Sequence, residues 1–134
     1  MGSVVLDSSI VIGFFDAGDA HHAASSAALI AMHTHGDTSV LPATVLLESL
    51  VGSYRRNEND AVELRRRILA LFGPIRIVDE DIVDAAARLR AAHRWLRTPD
   101  SLVLATGVVE DATVLTCDQQ LAKVDPRVEV IGSG

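Results

Sequence analysis

Four acids stand out by type and setting: Asp7 in VVLDSSIVI, Glu48 in TVLLESL, Asp100 in TPDSLVL and Asp118 in LTCDQQ. An ionised carboxylate among apolar residues is costly unless it is hydrogen-bonded or paired. Asp7 and Asp118 each follow a short apolar run and suit the cap of a helix. Asp100 falls in a first helical turn behind Thr98, read as the N-cap, and Pro99. Glu48 lies about two turns into its helix, among Leu46, Leu47, Leu50 and Val51, so no cap explains it. It either escapes at an exposed edge or has a cationic partner. Were the four to converge, they would repel one another, and a divalent cation would relieve that repulsion. Hard cations such as Mg²⁺ and Mn²⁺ take oxygen ligands and keep several waters. Such ions activate water and stabilise the charge that develops in phosphodiester cleavage.

What must position these acids is an alternation of short strands and helices. Strands are read at Val4–Leu6, Ser39–Leu41, Ile75–Val78, Thr113–Leu115 (or Val114–Thr116) and Val128–Ile131. Helices are read at Ser8–Phe15, Ala20–His35, Pro42 to about Arg56, Asp60–Phe72, from the acids Asp79–Asp81 to about Leu96, and Thr98–Val109. Gln119–Lys123 reads as a helical turn. Strands that are continuous apolar runs, separated by helices, predict an α/β fold with a parallel sheet covered on both faces. In such sheets ligands sit beyond the carboxyl ends of the strands, where Asp7 and Asp118 fall.

The chain has 134 residues, of which 49% are hydrophobic, enough for one domain over residues 1–134 with a real core. No apolar run is long enough to span a membrane, and neither a signal-peptide layout nor a myristoylation pattern is present. Cys117 is the single cysteine, which excludes an internal disulfide and suits a reducing cytoplasm. Gly2-Ser3 and Gly132-Ser133-Gly134 read as fraying or added ends. The formal charge of −6 argues against passive coating of nucleic acid.

Charge is nevertheless unevenly placed. Eleven of the twelve basic residues are Arg, and they cluster. Arg90, Arg94 and Arg97 fall at i, i+4 and i+7 of the helix read to Leu96, a stripe that either grips phosphates or pairs with Asp84 and Glu80. Trp95 either stacks a base or packs. His93 shares a stripe with Ile82, Ala86, Leu89 and Leu96 and reads as half-buried. His21, His22, His33 and His35 match no metal-ligand pattern. Arg55, Arg56, Arg65, Arg66 and Arg67 form a second group, mixed with Glu58, Asp60 and Glu63.

VVLDSSIVI, TVLLESL, LRTPDSLVLATGV and ATVLTCDQQL, in this order and spacing, resemble a PIN domain, and the short layout is similar to a VapC-type toxin of a bacterial toxin–antitoxin pair. The resemblance covers essentially the whole chain. It implies a PIN-like three-layer α/β/α fold with a central parallel sheet of four to five short strands. It also implies a Mg²⁺-dependent, or Mn²⁺-dependent, endoribonuclease that cuts single-stranded or structured RNA, with tRNA and rRNA loops as plausible targets, and so inhibits translation. The family's acids map onto Asp7, Glu48, Asp100 and Asp118. Asp7 and Asp100 are then the main metal ligands. Asp118 and Glu48 bind through water or orient the attacking water. Ser9 and Thr116 match the hydroxyl residues that accompany the first and last acids. Gln119 and Gln120 stand where some relatives have a further acid, which favours one resting metal. The implied partners are RNA, a cognate antitoxin and a second copy in a homodimer, with no membrane. Phe14, Phe15, Leu46 and Tyr54 either line the antitoxin groove or belong to the core. The alternatives are a PIN nuclease of RNA processing without an antitoxin, and a non-catalytic RNA- or protein-binding module. A phosphotransfer receiver or haloacid-type phosphatase fits less well, because Ser9 stands where the latter needs an acid and Lys123 is the sole lysine.

Overall fold

The computed structural model describes residues 2–132; Met1, Ser133 and Gly134, among the residues read as chain ends, lie outside them. Five strands, β1 (Ser3–Leu6), β2 (Thr38–Pro42), β3 (Ile75–Arg76), β4 (Thr113–Thr116) and β5 (Val128–Val130), form one sheet in the order β3-β2-β1-β4-β5. Every neighbouring pair is parallel. Six α-helices connect them: α1 (Ser8–Phe15), α2 (His22–Thr34), α3 (Ala43–Arg56), α4 (Glu58–Phe72), α5 (Glu80–Ala92) and α6 (Thr98–Glu110). A 3₁₀ turn covers Gln119–Lys123.

Val5 and Leu6 are successive residues of β1 and so point to opposite faces of the sheet. Both are fully buried, which places helices over both faces and accounts for the apolar runs. The main core joins these residues to Ile10, Leu41, Val45, Ile68, Val103 and Leu115. Phe14, Phe15 and Phe72 add an edge-to-face aromatic cluster to it. A smaller core of Ile82, Ala86 and Ala105 fastens α5 to α6. No helix among the described residues is long and apolar enough to cross a membrane.

Several boundaries differ from the sequence reading, each for a local reason. Helix α2 starts at His22 because the Asp16 and Asp19 carboxylates accept hydrogen bonds from the N–H groups of Gly18 and His21, holding residues 16–21 in turns. Pro42 is the last residue of β2 and the N-cap of α3; its φ of −61° serves an extended backbone as well as a helical one. Asn57 starts α4 early, its side chain accepting from the N–H of Asp60. Strand β3 is only two residues long, since Arg76 turns to pair with Glu110 and Asp79, and Asp79 already caps α5. Helix α5 ends at Ala92, before Leu96. His93–Leu96 form a turn that buries Leu96, and the Nε of Arg90 donates to the Leu96 carbonyl. The N-cap of α6 is Arg97, one residue before the expected Thr98. Arg90, Arg94 and Arg97 therefore share no helix face: Arg90 ends a helix, Arg94 lies in the turn, and Arg97 caps the next helix.

Candidate active site

Strands β1 and β4 lie side by side at the centre of the sheet, with Leu6 opposite Leu115. The chain leaves both at the same edge, delivering Asp7 and Asp118 there. Asp7 caps α1, its Oδ1 accepting from the N–H of Ser8 at 2.8 Å. Its Oδ2 accepts from the hydroxyls of Ser9, at 3.2 Å, and Thr116, at 2.7 Å. Only 5% of Asp7 is exposed, so these donors replace much of its lost hydration. A carboxylate offers about four acceptor sites, so this one keeps room for a further partner.

Thr116 does two things at once. Its hydroxyl donates to Asp7 and accepts from the N–H of Asp118 at 3.0 Å, joining the two acids across adjacent strands. Ser9 makes the parallel link, donating to Asp7 and accepting from the N–H of Cys117 at 3.1 Å. Asp118 caps the 3₁₀ turn through the N–H of Gln120. The capping readings of Asp7 and Asp118 and the convergence of the two acids thus hold together.

Glu48 and Asp100 arrive from α3 and α6. Burial, then the charges of Asp7 and Asp100, push Glu48 above its ordinary pKa, while Arg97 and the hydroxyl of Ser8 pull it down. Burial and the Asp7 charge likewise raise Asp100, with Asp118 adding to the rise and Arg97 opposing it. The four acids therefore form one electrostatic group. Arg97 is its cation, with Nε 3.4 Å from Oδ2 of Asp100. Neither the Ser8–Glu48 contact nor the Arg97–Asp100 pair was foreseen. The double serine of LDSSI was the only hint of the first, and the second was masked by assigning Arg97 to the preceding helix.

The donor set is all oxygen, which fits a hard divalent cation. No three His, Cys, Asp or Glu side chains among the described residues are arranged to hold a metal by themselves. One turn before Glu48, the buried hydroxyl of Thr44 finds no partner among the described residues. His22 bonds through Nδ1 to the Gly13 carbonyl, and His93, which follows α5, is half-buried and edge-on to Trp95.

A groove of about 530 Å³ runs from the site between α1, α3 and α4. Glu48 lines it, together with Val11, Phe15, Leu64, Arg56 and Arg67. Of the four expected groove residues only Phe15 is there. Phe14 and Leu46 pack on the core, and Tyr54 lines a separate hollow with Leu47 and Val51.

An open parallel sheet with acids gathered at the carboxyl ends of its two central strands defines an α/β protein with its ligand site at that edge. The chain belongs to the PIN domain family, whose model matches residues 4–126. No curated protein matches it by sequence. Among solved structures it is similar to a toxin–antitoxin complex from Klebsiella pneumoniae, at 22% identity and a TM-score of 0.76, covering 95% of this chain and 96% of that one. It is similar to VapBC2 from Rickettsia felis bound to a DNA fragment from its promoter, at 15% identity and a TM-score of 0.79, covering 96% and 98%. It is also similar to Mycobacterium tuberculosis VapC20, described as a sarcin–ricin loop cleaving toxin, at 18% identity and a TM-score of 0.72, covering 90% and 93%. At these identities the likeness establishes the fold.

Proposed function

We propose that the chain, read as one PIN domain over residues 1–134, is a Mg²⁺- or Mn²⁺-dependent endoribonuclease. In this reading it is the toxin of a type II toxin–antitoxin pair, acting in the cytoplasm on structured or single-stranded RNA and inhibiting translation. The observation that carries this is the Thr116 bridge between Asp7 and Asp118, with Glu48 and Asp100 in the same electrostatic group. Asp7 and Asp100 would hold the ion, with Asp118 completing the set directly or through water. Once bound, the ion supplies Lewis acidity and makes water more acidic. Glu48 orients the attacking water and takes its proton. Ser9 and Thr116 hold the Asp7 carboxylate in one orientation by donating to the same oxygen. Arg94 and Arg97 meet backbone phosphates, and Trp95, 49% exposed, stacks a base. Arg90 adds to that field, although its Nε is committed to Leu96.

The groove ending at Glu48 is the place for an antitoxin segment, and its joint lining by Phe15, Arg67 and Glu48 supports an apolar anchor followed by a polar or basic side chain. The toxin–antitoxin likenesses support the same partner. Homodimerisation follows from the family resemblance, and the exposed Leu47 and Tyr54 of α3 are the residues at which to test it.

The test is cleavage of total bacterial RNA by the purified chain with Mg²⁺, with Mn²⁺ and with EDTA, alongside Asp7→Asn and Asp100→Asn. Discrete metal-dependent fragments, lost in both variants, are expected. Cleavage that survives both substitutions would place the active site elsewhere, and no cleavage in any metal would favour a binding module.

A further inference from the structure

Arg97 is the one element of the acidic group that a simple metal site does not call for. Its extended backbone caps α6, and its carbonyl accepts from the N–H of Ser101 at 2.9 Å, so its Cα is fixed. Its side chain is not: 68% of it is exposed, while the Asp100 side chain it meets is only 22% exposed. The contact is long, with Nε 3.4 Å from Oδ2 of Asp100. Neighbouring arginines are engaged elsewhere, Arg90 on the Leu96 carbonyl and Arg88 on Asp84. Arg97 also acts on Glu48, so one guanidinium offsets two acids.

Resting on the nuclease reading above, we propose that Arg97 is a resident counter-ion of the acidic group, occupying Asp100 in the cation-free protein and competing with the divalent ion for it. Solvent-exposed ion pairs are weak. A doubly charged ion therefore displaces the guanidinium at modest cost. The pair also limits repulsion between Asp100 and Glu48 while no ion is bound, which keeps the cluster from splaying. Once released, the guanidinium remains anchored at the start of α6, next to the ligand it has left. There it is available to a phosphate oxygen of the strand being cut. Arg97 is in this sense a positioning residue, whose charge sets how tightly the ion is held.

The experiment is a titration of the full chain with Mn²⁺ alone, following free Mn²⁺ by electron paramagnetic resonance, for the unaltered protein, Arg97→Gln, Arg97→Ala, Arg97→Lys and Asp100→Asn. Thermal unfolding checks that each is folded. Both neutral variants should bind Mn²⁺ roughly three- to tenfold tighter at low salt. That advantage should shrink as salt is raised. Arg97→Lys, which keeps the charge, should stay near the unaltered protein, and Asp100→Asn should bind more weakly. Equal or weaker binding by the folded neutral variants, with Asp100→Asn still impaired, would overturn the counter-ion role and leave the nuclease reading standing. Absence of Mn²⁺ binding by the unaltered protein and the neutral variants alike would overturn both.

Discussion

At the scale of single residues, the site turns on a hydroxyl. Thr116 is fully buried and serves both Asp7 and Asp118. Thr116→Val preserves shape but strands the N–H of Asp118 and removes one donor to Asp7. Leaving a buried group unsatisfied costs about 1–3 kcal/mol. Urea unfolding should register that loss, and Mn²⁺ affinity should fall as the two acids lose their link. Thr116→Ser should recover most of both. The acids themselves were legible because each sits where a strand ends or a helix begins, or, for Glu48, where an apolar helix offers no reason for a charge. Thr116 and Ser9 were legible only through the family resemblance, which carries hydroxyl residues beside the first and last acids. The Ser8–Glu48 and Arg97–Asp100 contacts were not, since they depend on how α1, α3 and α6 meet, and spacing along one chain segment carries no such information.

Among the elements, packing decides where the sequence pattern stops applying. The helical periodicity of α5 continues into His93 and Leu96, yet Leu96 is buried by a turn and the helix ends first. Tertiary burial outweighs a few residues of helical propensity. The start of α5 is firmer. Asp79 accepts from the N–H of Ile82 and pairs with Arg76, and both hold its carboxyl below the ordinary value. A depressed pKa stabilises the fold above the unfolded-state value, and the benefit is lost as pH falls through the folded one. Asp79→Ala should therefore melt at a lower temperature than the unaltered protein near neutrality. The difference should begin to narrow as pH falls through the usual aspartate value, about 3.9, and close only below the depressed folded value. Helix α6 lies against β4 at Gly107, where an added Cβ would collide with the Cγ2 of Val114. Gly107→Ala should destabilise by about 1–3 kcal/mol in chemical denaturation, the usual cost of overpacking. No pattern in the sequence marked that glycine, because the close approach exists only once the two elements are packed.

For the whole molecule, the nuclease reading proposed above is compatible with a formal charge of −6 only if charge is segregated. Arg97 stands beside the acids of the site, paired with Asp100. Much of the second arginine group is balanced locally, as Arg66 is by Glu63 and Arg56 by Asp60. The groove offers a direct test of partner binding. Gly52 lines it, and a Cβ there would meet nothing within 4 Å. Gly52→Phe should fold, gain helical stability of up to about 1 kcal/mol, and fill the groove. Its Kd for the antitoxin should rise by about tenfold or more, measured by calorimetry.

The pairing of β1 with β4 has a consequence in time as well as in space. Asp7 enters the chain early and Asp118 late, and nothing local brings them together. The long connection between them must close before Thr116 can reach Asp7, and such closure is the slow part of folding a parallel sheet. Helices α1, α3 and α4, which line the groove, belong to the earlier part of the chain. On the toxin reading proposed above, the whole lining of the groove has therefore been synthesised before the last acid of the site enters the chain.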